Sequence, residues 1–204
     1  MCPNHHTEID NKALEGTYTV ARVQQMKEEH ESRFRRALVS LERIVDGTAG
    51  VVVKRPENMR ALPGFDNMDE EETRDNLGAA TPFVDGLSRL PLSLRDVITL
   101  ILVHGRASRT RGRFGGQQVA VSAARMEGVA QIHVDDFRHR AKALEHDGWL
   151  EIYDDEGTTL LVLIDPTARE IGWDLFSSIH ELAAGDRSFI ERIIDQLDFT
   201  ALDA

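Results

Sequence analysis

The sequence predicts a mostly α fold with one small antiparallel β element in its second half. Three observations carry this. Apolar residues recur at helical spacing through most of the chain. Two runs, Trp149–Tyr153 and Thr159–Ile164, are rich in aromatic and β-branched residues, and they flank the turn sequence Asp154-Asp155-Glu156-Gly157. Composition is that of a folded chain: 204 residues, 41% hydrophobic and 29% charged. That length suits one domain with an appended element.

The first stretch, residues 1–18, is polar and aperiodic, with Pro3 and Gly16, and reads as a mobile arm. Residues 19–46 read as one long helix. Val20, Val23, Phe34, Ala37, Leu41 and Ile44 fall at alternating steps of three and four, with Lys27 and His30 completing the stripe. Gly47 then supplies a stop. This helix packs on its own domain or pairs with a second copy. Residues 47–91 are less regular. Val51–Val53 suits a short strand, and the acidic run around Asp69–Glu72 reads as a linker or a short solvated helix.

Residues 92–165 carry the most information. Ser93 to His104 is a helix buried on most faces. A segment from Gly105 to Gly116 follows, with four arginines (Arg106, Arg109, Arg111, Arg113), four glycines and no acid. A second helix is expected over about 117–126 and a third over about 133–146, its inward face Val134, Phe137, Ala141 and Leu144. Gly148 launches the hairpin. Residues 166–204 return to helix, with apolar stripes Ile171, Leu175, Ile179, Leu182 and then Ile190, Ile193, Ile194, Leu197, and an acidic tail holding Asp195, Asp198 and Asp203.

Helix, helix, short turn, helix and hairpin in that order make a winged helix-turn-helix. The wing has two strands, or three if a residue pair ahead of the second helix joins it. Extra N- and C-terminal helices are expected to dimerise. Phe137-Arg138-His139-Arg140-Ala141-Lys142-Ala143-Leu144-Glu145-His146-Asp147-Gly148-Trp149-Leu150, and Leu163-Ile164-Asp165-Pro166-Thr167-Ala168-Arg169-Glu170 after the wing, resemble the MarR-type winged-helix transcription regulators. The resemblance covers residues 93 to about 198 and implies a homodimer that binds double-stranded DNA, with a small-molecule effector as a further partner. The chain departs from that family at two places. The hairpin tip is acidic, with no Arg or Lys from Glu151 to Asp165, and Asp135 and Asp136 open the third helix where Ser or Thr is usual.

The DNA-contacting candidates are Arg138, His139 and Lys142 on the third helix, for the major groove, and Arg106, Arg109, Arg111 and Arg113 for the backbone. A solvated helix face and a solvated linker are the plain alternatives for the two groups. The net charge of −11 disfavours sequence-independent nucleic-acid binding. It keeps open a second function, a winged helix used for assembly with other proteins. Enzyme signatures are absent, with no phosphate loop, no dinucleotide fingerprint, no Gly-x-Ser-x-Gly and no His-Glu-x-x-His, so the chain is expected not to be an enzyme and to use no cofactor. His133, His139 and His146 lack metal-pair spacing, and Cys2, His5 and His6 on an arm make a poor cage. A single cysteine and the lack of a signal-like N-terminus predict a reducing, cytoplasmic home. No stretch is apolar enough to span a bilayer.

Overall fold

The computed structural model describes residues 19–30, 52–108, 117–129, 133–168 and 173–203. The chain divides into two units, Met1–Leu41 and Glu42–Ala204. In the first, residues 20–30 form helix α1. The hydroxyl of Thr19 accepts from the Arg22 N–H, and Gln25 bonds both Arg22 and Glu29 along the outer surface. Val20 is exposed and Val23 half-buried. The expected arm over 1–18 and the expected continuation of α1 through Phe34, Ala37, Leu41 and Ile44 to Gly47 lie outside the described residues.

The second unit combines helices with a four-stranded antiparallel sheet. Its first helix corrects an expectation. Where the sequence suggests an acidic linker or short solvated helix, α2 runs from Glu70 to Ser88. Asp69 caps it, accepting from the N–H groups of Glu71 and Glu72, while the Glu72 carboxylate accepts from the Asp69 N–H. The acids sit where the helix dipole favours them. The apolar half comes later: Ala80, Phe83, Val84 and Leu87 form a buried stripe. The run is therefore the start of a core helix.

Helix α3 (Leu92–His104) is the centre of the unit, with Leu94, Val97, Ile98, Ile101 and Leu102 fully buried. Gly105 ends it at a close approach: a Cβ there would lie 2.5 Å from the Ile101 carbonyl oxygen and 2.6 Å from Val119 Cγ1. Strand β1 (Arg106–Ser108) follows, then β2 (Gln118–Ser122). The latter is a second correction, because the sequence suggests a helix from about 117. Val119 and Val121 alternate into the core, and the helix, α4, begins only at Ala123 and ends at Val129.

Helix α5 (Val134–His146) turns Phe137, Ala141 and Leu144 inward, as its spacing predicts. Its end is a Schellman motif: the Trp149 N–H donates to the Leu144 carbonyl and the Gly148 N–H to that of Glu145, with Gly148 at φ +82°. Strands β3 (Leu150–Asp155) and β4 (Thr158–Leu163) form the expected hairpin. Glu156 and Gly157 both have positive φ, +49° and +85°, the type I′ geometry that matches strand twist. The sheet order is β1-β2-β4-β3, so β4 pairs with β3 on one side and with β2 on the other, Ala120 opposite Val162.

Asp174 is the N-cap of the next helix, accepting from the Ser177 N–H at 2.7 Å, and the buried Asp165 ties the preceding turn to the start of that helix. The Asp165 carboxylate accepts from the N–H and hydroxyl of Thr167 and from the N–H of Leu175, which begins α6 (Leu175–Ala183). Leu175 and Ile179 are buried as their stripe predicts, while Ile171 lies outside the described residues. In α7 (Arg187–Ile194), Ile190, Ile193 and Ile194 are fully buried, followed by Leu197. Phe83, Trp149 and Phe176 meet edge to face, joining α2, the start of the hairpin and α6.

The expected acidic tail is instead a clasp. Asp198 forms a parallel bridge with Lys54, and its carboxylate binds Lys54 Nζ at 3.1 Å and Arg192 Nε at 3.0 Å. The Asp203 carboxylate accepts from the N–H groups of Glu57, Asn58 and Met59. Val52 and Val53 lie outside any strand, and Val51 is outside the described residues. Among the described residues no helix is long and apolar enough to cross a membrane.

Candidate nucleic-acid interface

Helices α4 and α5 and the β3–β4 hairpin lie in sequence around α3 and present three polar surfaces. On α5, burial of Phe137, Ala141 and Leu144 fixes the phase of the helix. Arg138 and Lys142, one turn apart, are thereby exposed, and His139 is half-buried. The same helix opens with exposed Asp135 and Asp136, and the His133 ring caps it by accepting from the Asp135 N–H.

Arg138 is engaged. Its Nε donates to Oε1 of Glu127 on α4 at 2.6 Å, with the side chains 59% and 26% exposed. Nothing in the sequence signals this pair, because the two residues sit on different helices eleven positions apart. Arg125 is exposed on α4 and adds a cation that the sequence pattern does not single out. Arg140 points elsewhere, its Nη1 donating to the Ser93 carbonyl at 3.3 Å.

Arg106 is exposed on β1, paired with Ala120 in register. Arg109, Arg111 and Arg113 lie outside the described residues. The structure thus brings Arg138, His139 and Lys142 onto one helix and places Arg106 on the sheet edge. The hairpin tip is acidic in space as in sequence: Asp154, Asp155 and Glu156 are exposed, with the Thr159 hydroxyl donating to Asp154 at 2.8 Å. Burial and the Asp155 and Glu151 carboxylates raise the Tyr153 phenol above its ordinary value.

Away from that face, Asp96, Thr99 and Leu100 of α3, Arg140 of α5, Glu191 of α7 and Asp195 just after it line a cleft of about 210 Å³. Asp195 accepts from the Thr99 hydroxyl at 2.8 Å, and burial pushes its carboxyl up to about 6. Burial also raises Asp96, against the pull of Arg140 and Arg95. The cleft therefore holds carboxylates that partial burial makes reluctant to ionise. At the other end of α3, burial, Arg125 and Arg187 lower the His104 imidazole. Among the described residues no group of three His, Cys, Asp or Glu side chains is placed to hold a metal ion. Cys2, His5 and His6 are outside them.

No family model, no curated protein and no solved structure matches this chain.

Proposed function

We propose that residues 92–163 form a winged helix that reads double-stranded DNA, and that the chain acts as a homodimeric, sequence-specific transcription regulator rather than an enzyme. The observation that carries this reading is the sheet order. The strand preceding the helix pair, β2, adds to the hairpin through β4, so the strands that flank α4 and α5 in the chain belong to one sheet. That arrangement fixes α5 against the domain while leaving Arg138 and Lys142 outward, as insertion into a major groove requires. The MarR-type resemblance of the α5–hairpin segment points the same way.

In this reading α5 supplies base contacts, with Lys142 and His139 beside Arg138, while Arg106 and the arginines at 109, 111 and 113 follow the phosphates. Pairing of two copies would fall to α1, where Val20 is exposed, and not to α6 and α7 as the sequence suggests, because Leu175, Ile179, Ile190, Ile193 and Ile194 are buried within their own unit. It would set two α5 helices roughly 34 Å apart on successive grooves. The cleft between α3, α5 and α7 is where a small-molecule effector would reach α5. Selection of a preferred duplex by the full chain from random sequence, with two chains bound per site, tests the proposal. No enrichment over input would reject it.

A second reading is favoured by the hairpin. A tip of Asp154, Asp155 and Glu156 repels phosphate and suits a basic protein surface. The assembly module it implies would bind no DNA and would elute from heparin at low salt.

A further inference from the structure

The Arg138–Glu127 pair joins two helices across the turn of the helix pair, and its geometry has a direction. Arg138 takes its acid from α4, although Asp135 stands three residues earlier on its own helix, where it lies 3.8 Å from the His133 ring instead. The contact uses Nε. In a planar guanidinium, Nε–H lies on a different edge from the fork of Nη1 and Nη2. That fork matches O6 and N7 of guanine, the commonest specific arginine contact in a major groove. A long arginine left to itself samples many rotamers, and ordering it weakens whatever contact it makes. A carboxylate holding one edge removes much of that freedom beforehand.

We infer that Glu127 is the positioning residue of the DNA-reading face: it holds Arg138 by its Nε edge so that the terminal fork meets a single guanine. The inference rests on the DNA-binding reading above and names its specificity-determining pair. Glu127 does not touch the base. It acts through Arg138, and because it adds a negative charge near phosphate it trades general affinity for discrimination.

The test uses the full chain, the duplex it selects from random sequence, and the set of single-base variants of that duplex. Binding is measured by fluorescence anisotropy for the native protein and for Arg138→Ala, Arg138→Lys and Glu127→Gln. Both side chains are at the surface, and thermal unfolding checks that each variant folds. Arg138→Ala is expected to abolish a guanine preference of roughly ten-fold or more at one position. Arg138→Lys, which lacks the fork, is expected to lose most of it. Glu127→Gln is expected to weaken the preference about three-fold or more at that same position only, while binding to all duplexes tightens slightly. A purely structural tie between α4 and α5 would change all positions together or none. An unchanged preference in Glu127→Gln overturns the inference. A strengthened one also overturns it, because Glu127 would then compete with DNA for Arg138. If the chain selects a duplex but Arg138→Ala alters no position, the inference falls and the DNA-binding reading stands. If no duplex is selected, both fall.

Discussion

Replacing Phe83 by Ala tests whether the acidic stretch before α3 belongs to the core. Phe83 is fully buried, with its ring 5.0 Å from that of Phe176 and 5.5 Å from that of Trp149, both edge to face. Truncation removes the transfer free energy of a benzyl group and leaves a cavity between three elements, so the expected loss is about 3–5 kcal/mol. A companion change gives a test of sign. Gly86 lies inside α2, and a Cβ there would sit 2.8 Å from Trp149 Cζ2, an atom of a packed, buried ring. On a solvated helix, Gly→Ala stabilises by about 1 kcal/mol. Against the indole, overpacking costs about 1–3 kcal/mol and outweighs that gain. Urea unfolding followed by far-ultraviolet circular dichroism measures both, with Glu71→Gln on the exposed start of α2 as a control expected within about 0.5 kcal/mol. A loss below about 1 kcal/mol for Phe83→Ala, or a stabilised Gly86→Ala, would refute the docking of α2.

Asp203→Ala leaves the N–H groups of Glu57, Asn58 and Met59 without their carboxylate acceptor. A loss of about 1–3 kcal/mol and faster hydrogen exchange at those three amides are expected; unchanged exchange would show that the clasp is not formed. The stability of the fold should also carry a signature of Asp174 and Asp195. Burial raises each to about 6 in the folded protein, above the usual carboxylate value, so the folded state binds these protons more tightly than the unfolded chain. Their contribution is full below about pH 4 and is lost as pH rises to about 6. Asp198, lowered by its bonds to Thr200, Arg192 and Lys54, has the opposite sign, with stability present above the usual carboxylate value and lost on acidification below it. Asp195→Asn should therefore compare more favourably with the native protein at pH 7.5 than at pH 4.5 in thermal unfolding. An equal difference at both pH values would contradict the burial of that carboxylate.

The parts of this fold that were legible in the sequence are those specified locally. Helix α5 follows from the spacing of Phe137, Ala141 and Leu144, its end from Gly148, and the hairpin turn from Glu156-Gly157, because each needs only a few neighbouring residues. Helix α2 was hidden by its own charge pattern: the acids sit in its first turn, and its buried positions, Ala80, Phe83, Val84 and Leu87, all lie in the second half. Strand β2 is five residues long and its partner β4 lies some forty residues on, so only the pairing reveals it. The clasp was illegible for the same reason, since Asp198 and Asp203 meet partners near the other end of the unit. In the candidate interface, the phase of α5 exposed Arg138 and Lys142 to sequence reasoning. Glu127 was not visible, because a pair between two helices depends on how they cross.

The most direct measurement is the affinity of the full chain for duplex DNA from immediately upstream of its own coding sequence, against a shuffled duplex of equal composition, between 50 and 200 mM salt. The native protein should prefer the first by about a thousand-fold, with affinity falling steeply as salt rises, and Lys142→Glu should weaken binding and flatten that salt dependence. Equal, weak binding to both duplexes, unaffected by Lys142→Glu, would contradict the assignment of α5 as a DNA-reading helix.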